Sequence, residues 1–233
     1  MLPLRDNIRS LSFPYVNTGL IIACVVVFFA QLAAPEAGMA WAFAPRMLVS
    51  REYLAGPGIL GILLAILAST FMHGGFMHIA VNMLFLWVFG DNVEDRMGHL
   101  RYLVFYLVCG LAAALLHSLF TGFSGHPIVG ASGAIAGVLG AYFVLFRTSM
   151  IRSLVIVFVF PILFDLPAPV FLVYWFFLQL FAGVAGIMAP TGVAFWAHIG
   201  GFVAGYLLVR RFARRLRPPP ERVEPRVVRL RVE

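Results

Sequence analysis

The chain has 233 residues, of which 62% are hydrophobic and only 12% are charged. Because a soluble domain of this length carries about a quarter charged residues, the composition excludes an ordinary soluble enzyme and favours a protein that crosses a membrane several times. The net charge of +7 comes from arginines that flank apolar runs, which is typical of membrane topology signals and argues against a nucleic-acid-binding surface.

Six apolar segments approach the roughly 20 residues that a helix needs to cross a bilayer. They lie at residues 18–34, 76–90, 101–121, 131–147, 168–188 and 194–212. The sequence therefore predicts an all-α membrane protein with six transmembrane helices. No small-residue cleavage site follows the N-terminal residues, so we expect the first span to be retained and not removed as a signal peptide.

Arginines alternate between the two sides of this predicted bundle. They occur before the first span, in the second and fourth loops, and nine times from Arg210 onward, whereas the third and fifth loops contain none. Because cytoplasmic loops carry the excess of basic residues, both termini are predicted to be cytoplasmic.

The predicted organisation has three parts. Residues 1–17 form a cytoplasmic N-terminal segment, residues 18–212 form the membrane domain, and residues 213–233 form a basic, proline-rich cytoplasmic tail. Such a tail cannot bury a core, so we expect it to be extended or disordered. Its arginines act as a topology signal, and binding of anionic lipid headgroups is the alternative.

Two further apolar stretches are ambiguous. Residues 57–72 are predicted to form either an interfacial helix in the first loop or an extension of the second span. Residues 153–166 are interrupted by Pro161 and Asp165, and we interpret them as the lead-in to the fifth span. An additional span in either stretch would break the alternation of arginines.

The first polar cluster opens the second span. His78 and Asn82 are four residues apart and share one face of a helix. Both side chains donate hydrogen bonds and neither is a strong acid, which suits stabilisation of an oxyanion better than proton abstraction. The zinc-protease pattern requires two histidines four apart with a glutamate between them, and this cluster lacks it. The sequence therefore predicts no metal here.

The second cluster opens the fourth span, at Gly130 to Gly137. A serine near a helix start, Ser132, has an exposed hydroxyl and a backbone amide that the helix does not use. Gly133 and Gly137 allow a neighbouring helix to approach closely. A packing face in which Ser132 only makes an interhelical hydrogen bond is the alternative.

The third cluster lies in the sixth span, where His198 is followed by Gly201 and Gly205. A histidine within an apolar span is costly unless it has a partner. Two glycine-rich faces, one with Ser132 and one with His198, suggest a hydroxyl–imidazole pair, the minimum arrangement for nucleophilic catalysis. A structural histidine bonded to a carbonyl is the alternative.

Together these motifs resemble the rhomboid family, in its bacterial form, from about residue 70 to 205. The resemblance includes the Gly130–Gly133 motif, His78 with Asn82, and His198 with Gly201. The acidic–basic turn at residues 94–98 is also similar to the family's. The motifs occur in the family's order and in the corresponding spans.

The resemblance implies an intramembrane serine protease with a catalytic dyad, in which Ser132 attacks and His198 takes its proton. It implies an oxyanion hole formed by His78, Asn82 and the Ser132 backbone amide. The expected active-site packing residues are the glycines Gly130, Gly133, Gly137, Gly201 and Gly205.

No cofactor and no metal are expected. The implied partners are transmembrane protein substrates and membrane lipids, with no nucleic acid, and the implied location is the bacterial cytoplasmic membrane. The rival classes are an inactive rhomboid-like scaffold, which usually lacks the serine or the histidine, and a channel or transporter.

Two positions depart from the family pattern. The first loop lacks the adjacent Trp-Arg pair that members often carry, and position 136, where an aromatic often stacks on the histidine, is Ala136. His198 must therefore be held in another way. The aromatic run Tyr174–Phe177 resembles the family's proposed lateral gate, although an aromatic belt facing lipid is the favoured interpretation.

Overall fold

The computed structural model of the protein describes residues 1–188 and 193–213. In this part of the chain a helical bundle is accompanied by one small antiparallel sheet. The helices are α1 (Tyr15–Ala33), α2 (Pro35–Met39), α3 (Arg51–Ala55), α4 (Gly58–Phe71), α5 (Phe76–Met97), α6 (His99–Phe120), α7 (Ser132–Leu145), α8 (Ala168–Met188) and α9 (Phe195–Phe212), with a 3-10 helix at Pro45–Leu48. The strands are β1 (Leu2–Asp6), β2 (Met150–Val157) and β3 (Phe160–Pro167).

Each of the six predicted spans corresponds to a helix, namely α1 and α5 to α9. Among the described residues, four helices are long and apolar enough to cross a membrane: α1, α5, α6 and the Ala168–Gly186 part of α8. The helix α7 is shorter, with 14 residues, and lies at the centre of the bundle with residues 133–142 all buried. The predicted helical membrane protein is confirmed, and the count of six spans stays a prediction.

Glycines bring α7 and α9 into direct backbone contact. A Cβ atom at Gly201 would overlap the carbonyl oxygen of Gly133, and one at Gly205 would overlap that of Gly137. Membrane helices gain packing energy when small residues allow this approach. The contact fixes the N-terminal end of α7 opposite the first turns of α9.

The apolar stretch at 57–72 forms α4, a helix separate from α5. It packs against α6 beside the buried side chains of Phe43 and Met47 and belongs to the first loop. A turn at residues 72–75 separates it from α5. Of the two predictions for this stretch, an extension of the second span is wrong.

The first loop is tied to the loop that precedes α7, although it lacks an adjacent Trp-Arg pair. The backbone amide of Arg46 donates to the Ser124 carbonyl at 2.9 Å, and that of Ile128 donates to the Phe43 carbonyl at 2.8 Å. The Phe43 amide in turn donates to the Ser69 hydroxyl. These bonds place the first loop beside the start of α7.

Residues 153–166, predicted to lead into the fifth span, lie mostly in a hairpin of β2 and β3, and β3 ends where α8 begins. The strand order is β1-β2-β3, all antiparallel, and the register pairs Arg152 with Asp165 and Ile156 with Pro161. Pro161 is compatible with this because β3 is an edge strand. The all-α prediction therefore omits a sheet, which also includes β1 from the predicted N-terminal segment.

Acidic residues join the N-terminal segment to the bundle; the set of Asp6, Glu94 and Asp95 is here called the acid network. The Glu94 carboxylate accepts the backbone amides of Val16 at 3.0 Å and Asn17 at 2.7 Å, and so caps α1. Asp95 accepts the Ser12 hydroxyl at 2.6 Å. Residues 94–98, predicted to form a turn in the second loop, lie at the C-terminal end of α5, and they hold the chain where it enters α1.

Asp6 completes the acid network from β1. Its carboxylate accepts the Tyr142 hydroxyl, the Asn92 side-chain amide at 2.8 Å and the Ile8 backbone amide at 3.2 Å. Burial nevertheless raises the pKa of Asp6 to about 6, because desolvation outweighs these hydrogen bonds. The predicted tail, residues 213–233, lies outside the described residues from position 214 onward.

Candidate active site

Ser132 and His198 meet where α7 and α9 touch. Ser132 is the first residue of α7, and His198 lies in the first turn of α9. The Ser132 Oγ atom is 2.8 Å from the His198 Nε2 atom, within hydrogen-bond distance. Two residues 66 positions apart in the chain are therefore in the arrangement required of a nucleophile and its general base.

The other ring nitrogen of His198 contacts Gln179 of α8. Its Nδ1 atom is 2.8 Å from the Gln179 Oε1 atom. The indole ring of Trp175, one turn earlier on α8, lies with its centroid 6.1 Å from that of the imidazole. Sequence reasoning missed Gln179, and the available signal was a single amide within an apolar span, since such polar residues seldom lack a function.

His78 lies on the other side of Ser132. Its Nδ1 atom accepts a long hydrogen bond of 3.4 Å from the Gly74 amide, so the ring proton is on Nε2. A Cβ atom built on Gly130 would lie 2.9 Å from this Nε2 and 3.6 Å from Ser132 Oγ. The donor edge of His78 thus faces the same small space as the serine hydroxyl.

Asn82, one turn further along α5, is buried with only 6% of its surface exposed. Within the described part of the chain, its Nδ2 amide has no hydrogen-bond partner. A buried donor without a partner costs free energy comparable to a lost hydrogen bond, about 1–3 kcal/mol. Such a cost is common where a donor is reserved for a bound group.

Gly130 shapes the entry to α7. Its φ angle of +133° is in the region that favours glycine, and its amide donates to the Ser69 carbonyl at 2.9 Å. Between this turn and α6 lies a cavity of about 30 Å³ that Ser132 lines together with Gly133 and Ala197. This volume is large enough for one water molecule beside the serine.

His78 also has a second histidine beside it, on the side of the first loop. His73 and His78 have ring centroids 5.2 Å apart. Among the residues that the structure describes, no group of three or more histidine, cysteine or acidic side chains is placed to hold a metal ion. The acid network is at the opposite end of α5 from His78.

Comparison with known proteins identifies relatives over most of the chain. A family model described as "Rhomboid domain" matches residues 61–215. Rhomboid protein 1, mitochondrial, from Saccharomyces cerevisiae is 28% identical over 204 residues, which are 84% of this chain and 54% of that protein. Rhomboid protease GlpG from Serratia proteamaculans is 27% identical over 204 residues, 87% of this chain and 64% of that protein.

A plant relative matches a shorter region. RHOMBOID-like protein 4 from Arabidopsis thaliana is 30% identical over 145 residues, which are 61% of this chain and 32% of that protein. The chain thus spans between about a third and two thirds of the length of these curated relatives. The matched region includes the helices that carry Ser132 and His198.

Proposed function

This chain belongs to the rhomboid family of multi-pass membrane proteins, and we propose that it is an intramembrane serine endopeptidase. The observation that carries the proposal is the 2.8 Å contact between Ser132 Oγ and His198 Nε2, which is half-buried between α7 and α9. A serine hydroxyl is a weak nucleophile until a base within hydrogen-bond distance takes its proton. The name of the relative GlpG includes the word protease, which supports the same activity.

The proposed reaction uses Ser132 and His198 in two steps. The Ser132 oxygen attacks the carbonyl carbon of the scissile peptide bond while His198 Nε2 takes the hydroxyl proton. The resulting imidazolium then donates this proton to the departing amide nitrogen as the C–N bond breaks, which leaves an acyl-enzyme ester. Water attacks the ester, His198 takes a proton from that water, and the proton returns to Ser132 as the acid product departs.

The negative charge that develops on the carbonyl oxygen requires donors on the side opposite His198. We assign them to His78 Nε2, Asn82 Nδ2 and the Ser132 backbone amide. The unpaired Asn82 amide and the proton on His78 Nε2 support this assignment. Ser132 opens α7, and the first amides of a helix have no partner within it. Donors fixed in advance in a dry site lower the barrier most.

The proposed substrates are transmembrane segments of other membrane proteins. A helix in a bilayer hides its backbone bonds, so a substrate must unwind before its carbonyl reaches Ser132. The alternation of arginines supports six spans with both termini in the cytoplasm. We propose the bacterial cytoplasmic membrane as the location of this protein; one relative comes from Serratia proteamaculans, whereas the yeast relative is named as mitochondrial.

The test is cleavage of a model transmembrane substrate by the purified full chain in detergent. Wild type is compared with Ser132→Ala and with the control Ser118→Ala, because Ser118 is a buried serine that bonds to the Ala114 carbonyl within α6. We expect wild type and the control to cleave, with or without a chelator, and Ser132→Ala to lose at least about 10⁴-fold in rate. Cleavage that survives in Ser132→Ala would refute the assignment of the nucleophile.

A further inference from the structure

The hydrogen bonds of His198 define which of its nitrogens carries the proton. The Gln179 Oε1 atom is an amide oxygen and can only accept, so His198 Nδ1 donates to it across 2.8 Å. A neutral imidazole has one proton, and Nε2 is therefore left with a lone pair. That lone pair is what must accept the Ser132 hydroxyl proton, 2.8 Å away.

The helix α8 supplies a second contact to the same ring. Trp175 and Gln179 are four residues apart and lie on one face of α8. The Trp175 ring is inclined by 33° to the imidazole, with the two centroids 6.1 Å apart. Ala136 on α7 is fully buried and too small to stack on the histidine. The Nδ1 partner of His198 and the indole ring beside the imidazole therefore both come from α8.

An amide suits this place better than a carboxylate. A charged side chain within an apolar bundle is costly, whereas glutamine is neutral and still accepts one hydrogen bond. A group that bonds the second nitrogen of a catalytic histidine fixes both its tautomer and its ring orientation.

We propose that Gln179 is the positioning residue of His198, assisted by Trp175, so that the placement of α8 determines whether the base is ready to act. This inference rests on the proposed serine protease function. Much of α8 is exposed on its other face, including Tyr174, Phe177 and Phe181. A displacement of α8 would remove the acceptor and the aromatic ring from His198 together, which would connect admission of a substrate at this helix to activation of the base.

The first test compares Gln179→Leu and Gln179→Glu with wild type in the same cleavage assay. Gln179→Leu removes the acceptor, and we expect kcat to fall by about 100-fold with little change in KM. Gln179→Glu restores an acceptor, so we expect it to keep at least about a tenth of the activity. Its pH–rate profile should move at the acid limb to higher pH, because a carboxylate beside the ring favours the protonated imidazole.

Gln31→Leu is the matched control, since Gln31 also accepts a hydrogen bond at a histidine, the backbone amide of His73 at 3.0 Å. We expect this variant to leave the pH–rate profile unchanged. A Gln179→Leu variant with wild-type kcat and an unchanged profile would overturn the proposal. Loss of activity in Ser132→Ala in the same series shows separately that the serine function holds.

A second readout does not depend on cleavage. Nitrogen NMR of protein labelled at its six histidines distinguishes the two imidazole tautomers, and His198→Ala identifies the relevant signal. We expect an Nδ1-protonated His198 in wild type and in Gln31→Leu, and loss of that preference in Gln179→Leu. An unchanged tautomer in Gln179→Leu would refute the positioning role, whether or not a substrate is available.

A separate inference concerns the hairpin of β2 and β3. Its distal half contains no charged residue between Ser153 and Phe164, and its turn is exposed, with 95% of Phe158 and 80% of Val159 accessible. Phe158 has φ +57°, a conformation in which hairpins in water ordinarily place glycine or asparagine.

Both faces of this distal half are apolar and exposed. Successive residues of a strand point to opposite faces, and a hairpin in water normally keeps one face polar. Here the exposed side chains on both faces are aliphatic or aromatic: Ile156, Val157, Phe160, Ile162 and Leu163. Such a surface is expected only where an apolar medium surrounds it.

The position of the hairpin identifies that medium. The strand β3 ends at Pro167 and the membrane helix α8 begins at the next residue, Ala168. Arg152 and Asp165 form a bidentate ion pair near its base, with contacts of 2.8 and 2.7 Å. Arg147, which follows the end of α7, is exposed nearby in the sequence. The base of the hairpin therefore lies at a membrane boundary. The basic residues at this boundary favour contact with anionic lipid headgroups.

We infer that the tip of this hairpin inserts into the lipid leaflet at the N-terminal end of α8. The test uses Phe158→Cys with a fluorescent label, in nanodiscs that contain anionic lipid, and Arg9→Cys on the same end of the bundle as control. The native Cys24 and Cys109 are buried and should not react. We expect lipid-chain nitroxides to quench the label at position 158, and aqueous iodide to quench the label at position 9.

Two results would overturn the insertion. Quenching of the label at position 158 by iodide, with no effect of the lipid nitroxides, would show that the tip lies in water. Energy transfer between labels on separate molecules, rising with protein-to-lipid ratio and replacing the nitroxide quenching, would show that the hairpin binds a second copy of the chain.

Discussion

Two buried asparagines near opposite ends of α5 differ in their hydrogen bonds. At the end that carries the acid network, Asn17 is buried and fully bonded: its backbone amide donates to Glu94, its side-chain amide to the Leu86 carbonyl, and its oxygen accepts from Tyr102. At the other end Asn82 is equally buried, yet its Nδ2 amide has no partner within the described residues. The side-chain amide of an asparagine is thus hydrogen-bonded at one end of α5 and, among the described residues, has no partner at the other.

This difference in hydrogen bonding indicates that Asn17 contributes to stability and Asn82 to function. A satisfied buried network holds elements together, and here it joins β1, α1 and α5. A donor left unpaired lowers stability, so its presence one helical turn from His78 is expected where a transient charge will use it. The comparison therefore predicts that substitutions at the acid network change the free energy of unfolding, and that those near Ser132 change the rate of cleavage.

The largest effect is expected where the two helices of the dyad touch. In Gly201→Val the new side chain would overlap the Gly133 carbonyl, so α7 and α9 must separate and Ser132 must move away from His198. We expect cleavage to fall by about 10³-fold or more, because a displacement of about 1 Å already costs about 100-fold. Thermal unfolding in detergent should also occur at lower temperature.

Gly19→Val on α1 is the matched control, because nothing lies within 4 Å of a Cβ atom at that position. It should leave both cleavage and thermal unfolding nearly unchanged. Equal losses in the two variants would mean that valine acts through helix propensity and not through the contact between α7 and α9.

The pair of asparagines tests the comparison most directly. Asn82→Ala removes a proposed oxyanion donor, and we expect kcat to fall by about 100-fold with no loss of stability, since its amide has no bond to lose. Asn17→Ala leaves the Tyr102 hydroxyl and the Leu86 carbonyl without partners. It should lower the free energy of unfolding by about 2–3 kcal/mol and leave kcat of the folded fraction unchanged. Denaturant titration gives the free energy of unfolding of each variant, and initial rates give its kcat. A loss of stability in Asn82→Ala together with a loss of kcat in Asn17→Ala would refute the assignment of Asn82 to catalysis and Asn17 to stability.

The cap of α1 is the next test of the network. Glu94→Ala leaves the amides of Val16 and Asn17 without their carboxylate, and hydrogen bonds to a charged group contribute about 1.5–3 kcal/mol each. We expect the free energy of unfolding to fall by about 3 kcal/mol and hydrogen exchange at these amides to accelerate. Unaltered exchange at Val16 and Asn17 would contradict the cap.

Part of this structure could be predicted from the sequence, because polar groups in a membrane are few and costly. Ser132, His198, His78 and Asn82 stand out for that reason, and the glycines beside them indicate close helix contact. Gln179 obeys the same rule but lies alone among aromatic residues. No spacing pattern connects it to His198, so only the packing of α8 on α9 reveals the pair.

The sheet could not be predicted for a different reason. A run such as residues 154–160 is apolar and β-branched, and periodicity does not distinguish a buried helix from a strand in so short a segment. The strand β1 gives no signal of its own, because its partner β2 begins almost 150 positions later and pairing between distant segments leaves no local pattern. Asp6 shows the consequence, since this residue of the predicted N-terminal segment is a half-buried member of the acid network.

The smallest expected effect is the dependence of stability on pH at Asp6. Burial raises the pKa of this carboxyl from 3.8 to about 6 in the folded protein. Below about pH 4 the group is protonated in both states and costs nothing. As the pH rises toward 6 the unfolded chain loses the proton first, so the free energy of unfolding falls until about pH 7. The full shift corresponds to about 3 kcal/mol, and partial exposure should reduce this to about 1–2 kcal/mol.

Asp6→Asn cannot ionise and should therefore be more stable than wild type above pH 6 but equal to it near pH 4, as measured by denaturant titration at both pH values. A constant difference between the two proteins would mean that the pKa of Asp6 is the same in the folded and the unfolded chain, and that the hydrogen bonds of the acid network fully offset the desolvation of the carboxylate.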